Sequence, residues 1–248
     1  MNAVMRSIFL LCLVWLGGCT YVGTATPITD PSVPADQKLV GSWAHLKDLS
    51  LFNVIENKES NKLYVVGINP GVDGTNSCVV WEIRTLQQTD YGLFEVSIQD
   101  GAYECVSPHQ NAFFINWDKY MQAGLGQFYA FSFYKISKLN NPGLAEFKEN
   151  NKESIDKLIN YYDVTDENPD VVQVAFLEDL EELDELIQGI QSKSVKINHD
   201  TFIQLEDTPE AIRRFFLALR SDSPVFTRWD SDGAIFIRIS PPKSSVGQ

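Results

Sequence analysis

The sequence predicts an α+β protein: an antiparallel β-meander, forming a barrel or a sandwich, in the first half, and helices mixed with strands in the second. Three observations carry this. From Leu39 the apolar residues alternate: Val79, Trp81 and Ile83 against Val80, Glu82 and Arg84, then Phe94, Val96 and Ile98 against Glu95, Ser97 and Gln99. Such a period of two is the mark of a half-buried strand. Turn-forming residues punctuate the runs, with Asn69-Pro70-Gly71, Asp73-Gly74 and Asp100-Gly101. After residue 150 the period becomes helical, with Ile155, Leu158, Ile159 and Tyr162 at i, i+3, i+4 and i+7.

In order, strands are expected near 39–46, 50–57, 62–69, 78–88, 92–99, 102–106, 112–118 and 127–137. The run Phe128-Tyr129-Ala130-Phe131-Ser132-Phe133-Tyr134 is aromatic on both faces, so both faces should be covered, one by the sheet interior and one by the helices that follow. A second helical stripe runs through Leu180, Leu183, Ile187 and Ile190, and a third through Ile212, Phe215, Phe216 and Leu219. The third has a clear start, with Thr208 as N-cap and Pro209 at the first helical position. Thr201–Leu205 alternates as a strand, and a final hairpin joins Val225–Trp229 to Ala234–Ser240. The expected organisation is residues 1–18 as a signal peptide, 19–37 as a tether, 38–138 as the β region, and 139–243 as the α+β region packed on the same sheet.

The N-terminus reads as an address. Arg6 is followed by an apolar run from Ile8 to Leu16, too short to span a bilayer core as a helix, and then by Leu16-Gly17-Gly18-Cys19. That quartet resembles the lipobox of bacterial lipoproteins. The resemblance implies cleavage before Cys19, a diacylglycerol thioether on its sulfur and acylation of the new amine. Several acyl chains make such an anchor effectively stable. Thr20 follows, not Asp. In a Gram-negative source this implies the outer membrane, facing the periplasm. Residues 20–37 hold Pro27, Pro31 and Pro34 and show no hydrophobic period. They read as a tether reaching roughly 55 Å if extended at ~3.1 Å per residue.

Gly41-Ser42-Trp43, opening the first strand, resembles the G-x-W signature of lipocalins and other calycins. In that family the Trp plugs one end of a barrel and packs on an Arg. Thr89-Asp90-Tyr91 is similar to a second lipocalin signature, although it follows Trp43 by only 46 residues, fewer than the family's intervening strands need. Ordinary core packing is the other reading of Trp43.

Lys and Arg number 20 against 33 Asp and Glu, a net charge of −13. This acidity opposes binding to nucleic acid. Residues 139–248 carry 11 bases and 21 acids. Between Asp163 and Glu185 there are ten acids and no base, with Glu178, Asp179, Glu181, Glu182, Asp184 and Glu185 on one expected helix. They form a solvated face, a docking surface for a basic protein or a weak cation site. His45, His109 and His199 share no metal-ligand spacing, and no catalytic motif is present, so neither metal, cofactor nor enzymatic activity is expected. Cys78 and Cys105 remain after lipidation, in an oxidising compartment that favours a disulfide. Yet a hairpin at Asp100-Gly101 would set Cys105 opposite Val96, on a different strand and face from Cys78, so the bridge stays open. Two functions follow: a non-enzymatic envelope lipoprotein acting by protein interaction, or a calycin-like carrier of a small apolar ligand.

Overall fold

A computed structural model describes residues 21–30, 33–57, 62–70, 76–88, 91–98, 106–109, 112–114, 128–176, 190–197, 200–219 and 234–240. The strands are β1 (Tyr21–Thr24), β2 (Gly41–His45), β3 (Leu51–Asn57), β4 (Lys62–Pro70), β5 (Asn76–Gln87), β6 (Gly92–Ile98), β7 (Val106–His109), β8 (Ala112–Phe114), β9 (Phe128–Lys138), β10 (Asp170–Phe176), β11 (Ser192–Ile197), β12 (Asp200–Leu205) and β13 (Ala234–Ser240). The helices are α1 (Ala145–Asn150), α2 (Lys152–Tyr162) and α3 (Pro209–Ala218), with single 3₁₀ turns at Gln37–Leu39 and Pro142–Leu144.

Strands β2, β3, β4, β5, β6, β9, β10 and β13 pair in that order, each antiparallel to the next, and β13 pairs back onto β2. The meander therefore closes as an eight-stranded barrel, not a sandwich, and closure removes its edges. Its strands come from both halves of the chain, with α1 and α2 inserted between β9 and β10 and β11, β12 and α3 between β10 and β13.

Alternation along each strand divides the side chains between two faces. Inward lie Trp43, Val54, Leu63, Ile83, Tyr134, Val172 and Val174, which form one buried cluster. Outward residues build two more. Ala44, Val171, Ile235 and Ile237 pack under Leu144, Phe147, Ile155 and Leu158 of the α1–α2 insertion. Leu93, Phe131, Phe133 and Ala175 pack under Ile212 and Phe216 of α3 and under Val22 and Ile203. Each fully buried Val, Leu, Ile or Phe among them contributes about 1.5–3 kcal/mol. The aromatic strand is thus covered on both faces: Phe131 meets Phe216 edge-on at 5.0 Å, while Tyr134 on the other face stacks on Phe94 at 4.1 Å. Helix α3 begins as its sequence implies, the Thr208 side chain accepting from the Ala211 N–H at 3.2 Å.

Two sequence expectations are corrected. Within the stretch expected as a tether, residues 21–30 and 33–37 are folded onto the barrel. Strand β1 lies between β9 and β12, parallel to β12, and Val22 and Ile28 are fully buried. The stretch's apolar residues are too widely spaced to show a period, but Val22 and Ile28 pack on the barrel's outer wall. The Asp100-Gly101 hairpin is also not formed by β6. Val96 pairs with Ile83 on one side and Ala130 on the other, so both edges of β6 are taken. Pairing with the long aromatic β9 outweighs the local turn. The expected strand at 102–106 lies almost wholly outside the described residues, as do the second helical stripe, apart from Ile190, and the first arm of the final hairpin.

Candidate functional site: the barrel interior

One end of the barrel is plugged. Gly41 has φ 138°, a conformation that side chains rarely adopt, and it turns the chain from the 3₁₀ turn into β2. The Trp43 ring is then delivered into the barrel, 3% exposed, with its Nε1 donating to the Leu39 carbonyl at 2.7 Å. The Arg238 guanidinium lies over that ring, its carbon 4.1 Å from the centroid. Arg238 donates Nη1 to the Val40 carbonyl at 2.7 Å, Nη2 to the Lys38 carbonyl, and Nε to Asp170 at 3.0 Å. Lys138 also pairs with Asp170, at 2.9 Å. This is the Trp-on-Arg plug that the G-x-W resemblance implies.

The plug has a second tie. Asp36 caps the 3₁₀ turn, its Oδ1 accepting from the Lys38 N–H at 3.0 Å. Its Oδ2 accepts from the Tyr134 hydroxyl at 2.9 Å, and its own N–H donates to Thr85 at 2.8 Å. Burial, and then the Asp36 carboxylate, push the Tyr134 hydroxyl far above its ordinary range, so it remains a donor. Tyr134 sits opposite Gly92, where an added Cβ would fall 2.2 Å from the ring.

The opposite end is different. Phe52, Val65, Trp81, Val96 and Phe236 face inward by register, yet each is only partly buried and packs on the edge of the interior cluster. Phe52 lies edge-on to Phe236 at 5.2 Å and near-parallel to Trp81 at 6.4 Å. Gly67 lies between the last two, opposite Phe52 on one side with β5 on the other. A Cβ there would meet Trp81 at 3.1 Å and Phe52 at 3.2 Å. Accessible aromatic surface on the inside of a closed barrel is a wall that an apolar molecule can contact.

His45 shares this inward face, its ring 5.2 Å from Phe236. The β2–β3 turn positions it. The His45 N–H donates to the Ser50 carbonyl at 2.9 Å, and Leu49 adopts a left-handed φ of 60°. Asp48 is thereby brought back onto the strand end, its Oδ1 2.8 Å from His45 Nδ1 while accepting from both N–H and hydroxyl of Ser50. Partial burial raises the Asp48 pKa, but these bonds outweigh it and hold the carboxyl well below the usual range.

Outside the barrel, Glu95 is fully buried and accepts from the N–H groups of Ile28, at 2.5 Å, and Thr29, at 3.2 Å, and from the Thr29 hydroxyl. Burial pushes its pKa up, partly offset by those donors. This carboxylate pins the N-terminal segment to the wall, and nothing in the sequence but its place in an alternating strand pointed to it.

The residues singled out from sequence fare unevenly. Cys19, Cys105, Glu178, Glu181, Glu182, Asp184 and Glu185 lie outside the described residues, and Cys78 is placed on β5 opposite Ile68 by its backbone. Asp170, from the acidic stretch, is a plug residue. Of Thr89-Asp90-Tyr91 only Tyr91 is described, and it lies before β6, its hydroxyl donating to the Leu219 carbonyl at 2.7 Å. It is a core residue tying down the end of α3. Nothing in the sequence marks His45 beyond its lack of metal-ligand spacing, because its pairing with Asp48 depends on a turn that the sequence does not specify. Among the described residues no group of acids, cysteines and histidines is arranged to hold a metal. No family model matches the chain, and neither a curated protein nor a solved structure does. The closed eight-stranded antiparallel barrel is compatible with the calycin architecture.

Proposed function

We propose that the protein is a calycin-like carrier of a small apolar ligand, held at a bacterial membrane by lipid on Cys19. The observation that supports this reading is the partly exposed apolar wall of Phe52, Val65, Trp81, Val96 and Phe236 inside a barrel whose other end is plugged. The protein acts by binding and not by catalysis, needs no cofactor beyond its covalent lipid, and binds no nucleic acid. The lipobox resemblance and Thr20 support an outer-membrane site facing the periplasm in a Gram-negative source. Strand β1 begins at Tyr21, two residues after Cys19, so a lipid there holds the barrel against the bilayer instead of lifting it away. A carrier so placed exchanges its ligand directly with the membrane. The docking role for a basic protein rests on Glu178, Glu181, Glu182, Asp184 and Glu185, outside the described residues, and the barrel interior is the better-supported site.

The test is native mass spectrometry of the purified chain, with organic extraction of the same sample. A bound apolar molecule of defined mass supports the reading. A single unliganded species that takes up no alkyl probe contradicts it.

A further inference from the structure

We propose that His45 is the polar anchor of the barrel site, and that the ligand it selects is an apolar molecule ending in a hydroxyl group. This rests on the carrier reading and specifies its ligand. The geometry carries it. His45 stands on the inward face beside Phe236, one strand pair above the Trp43–Arg238 plug. Its Nδ1 is 2.8 Å from Asp48 Oδ1. A carboxylate oxygen only accepts, so in the neutral ring it is Nδ1 that carries the proton and Nε2 that presents a lone pair. Asp48 is a dependable acceptor, because Ser50 fixes it with two further bonds at 2.9 and 2.6 Å and its carboxyl stays ionised. Among the described residues Nε2 has no hydrogen-bond partner, and the side chain is 19% exposed.

An oriented acceptor at the border of an aromatic wall calls for a donor on the ligand. A hydroxyl supplies one. A carboxylate does not: its lone pairs would face that of Nε2, with the Asp48 charge behind the ring, in a chain already at −13. An ether or a bare alkyl chain fills the same apolar space and leaves Nε2 unpaired. His45 also orients through Asp48, so Asp48 is a positioning residue and does not itself touch the ligand.

The experiment is displacement of a fluorescent apolar probe, 1-aminoanthracene, from the full chain at pH 7.5 by dodecanol, its methyl ether and dodecanoate. The expected result is that the alcohol competes about three- to tenfold more strongly than the ether, the value of one added hydrogen bond. His45→Phe keeps a ring against Phe236 and should remove that advantage, so that alcohol and ether compete equally. Asp48→Asn should reduce it. Equal competition by alcohol and ether in the wild type, or stronger competition by dodecanoate, overturns the assignment of Nε2 as acceptor. A loss of alcohol and ether binding alike in His45→Phe overturns the anchor role and leaves the carrier reading standing. Failure of the probe itself to bind defeats the carrier reading instead.

Discussion

Two glycines inside the barrel, one at each end, should respond in opposite ways to the same added methyl group. At Gly92 a Cβ falls 2.2, 2.3 and 2.5 Å from ring carbons and the hydroxyl of Tyr134. That ring cannot yield. It is stacked on Phe94 at 4.1 Å, tied to Asp36 at 2.9 Å and 2% exposed. Gly92→Ala must force the ring off its rotamer and with it break the buried hydroxyl–carboxylate bond. Overpacking costs about 1–3 kcal/mol, and leaving the Asp36 acceptor unmet adds about 1–3 kcal/mol. A total near 4 kcal/mol is a large part of the stability of any domain. At Gly67 the same methyl meets Trp81 and Phe52 at 3.1–3.3 Å, a matter of tenths of an ångström. Both rings are only partly buried, and they can swing into the barrel. The residual strain is offset by about 0.4–1 kcal/mol from the reduced freedom of the unfolded chain. Gly67→Ala should therefore change stability by under about 1 kcal/mol. Urea unfolding of both variants, followed by circular dichroism, reads the difference. A Gly67→Ala loss as large as that of Gly92→Ala would mean that the upper end is as tightly filled as the plug, and would refute the argument for an accessible interior.

Three further outcomes follow. Arg238→Lys keeps the charge but loses the fork that reaches two carbonyls and Asp170 at once, so it should destabilise by about 2–4 kcal/mol, measured by urea unfolding, whereas an exposed pair would give under about 1 kcal/mol. Asp48 has a lowered pKa in the fold, so its contribution is present above its ordinary 3.8 and lost as pH falls through the folded value. The stability gap between wild type and Asp48→Asn should accordingly be widest above pH 4 and narrow steadily as the pH falls below it, and a gap independent of pH would rule out the His45–Asp48–Ser50 interaction. Thr208→Ala should cost about 1 kcal/mol through the lost cap on α3, with no change in ligand binding, and a larger binding effect would place α3 nearer the site than its packing on the outer wall allows.

Much of the barrel was legible in the sequence because β5 and β6 alternate, and because the double-faced aromatic run at 128–134 announced two covering layers; β10, buried on both faces through Val171, Val172 and Val174, shows no alternation and was not expected as a strand. The plug was legible through Gly41 and Trp43, but its Arg was not. Arg238 sits 195 residues away on the last strand, and only closure of the sheet brings it over the indole. Local signals misled where long-range pairing outweighed them. Asp100-Gly101 looks like a hairpin turn, yet β6 gains more by lying between β5 and β9. The proline-spaced segment before Gln37 looks unstructured, yet Ile28 and the Glu95 carboxylate fasten it to the wall. The His45–Asp48 pair depends on the left-handed Leu49, a conformation with no signature in a leucine.

On this reading of the barrel, an apolar molecule reaches its inside beside Trp81 and not beside the plugged Trp43. Quenching of tryptophan fluorescence by a nitroxide-labelled alkyl chain tests it directly. A ligand seated beside Trp81 gives saturable quenching in the wild type that is largely lost in Trp81→Phe. Weak, unsaturable quenching, equal in the wild type and in Trp81→Phe, would contradict it.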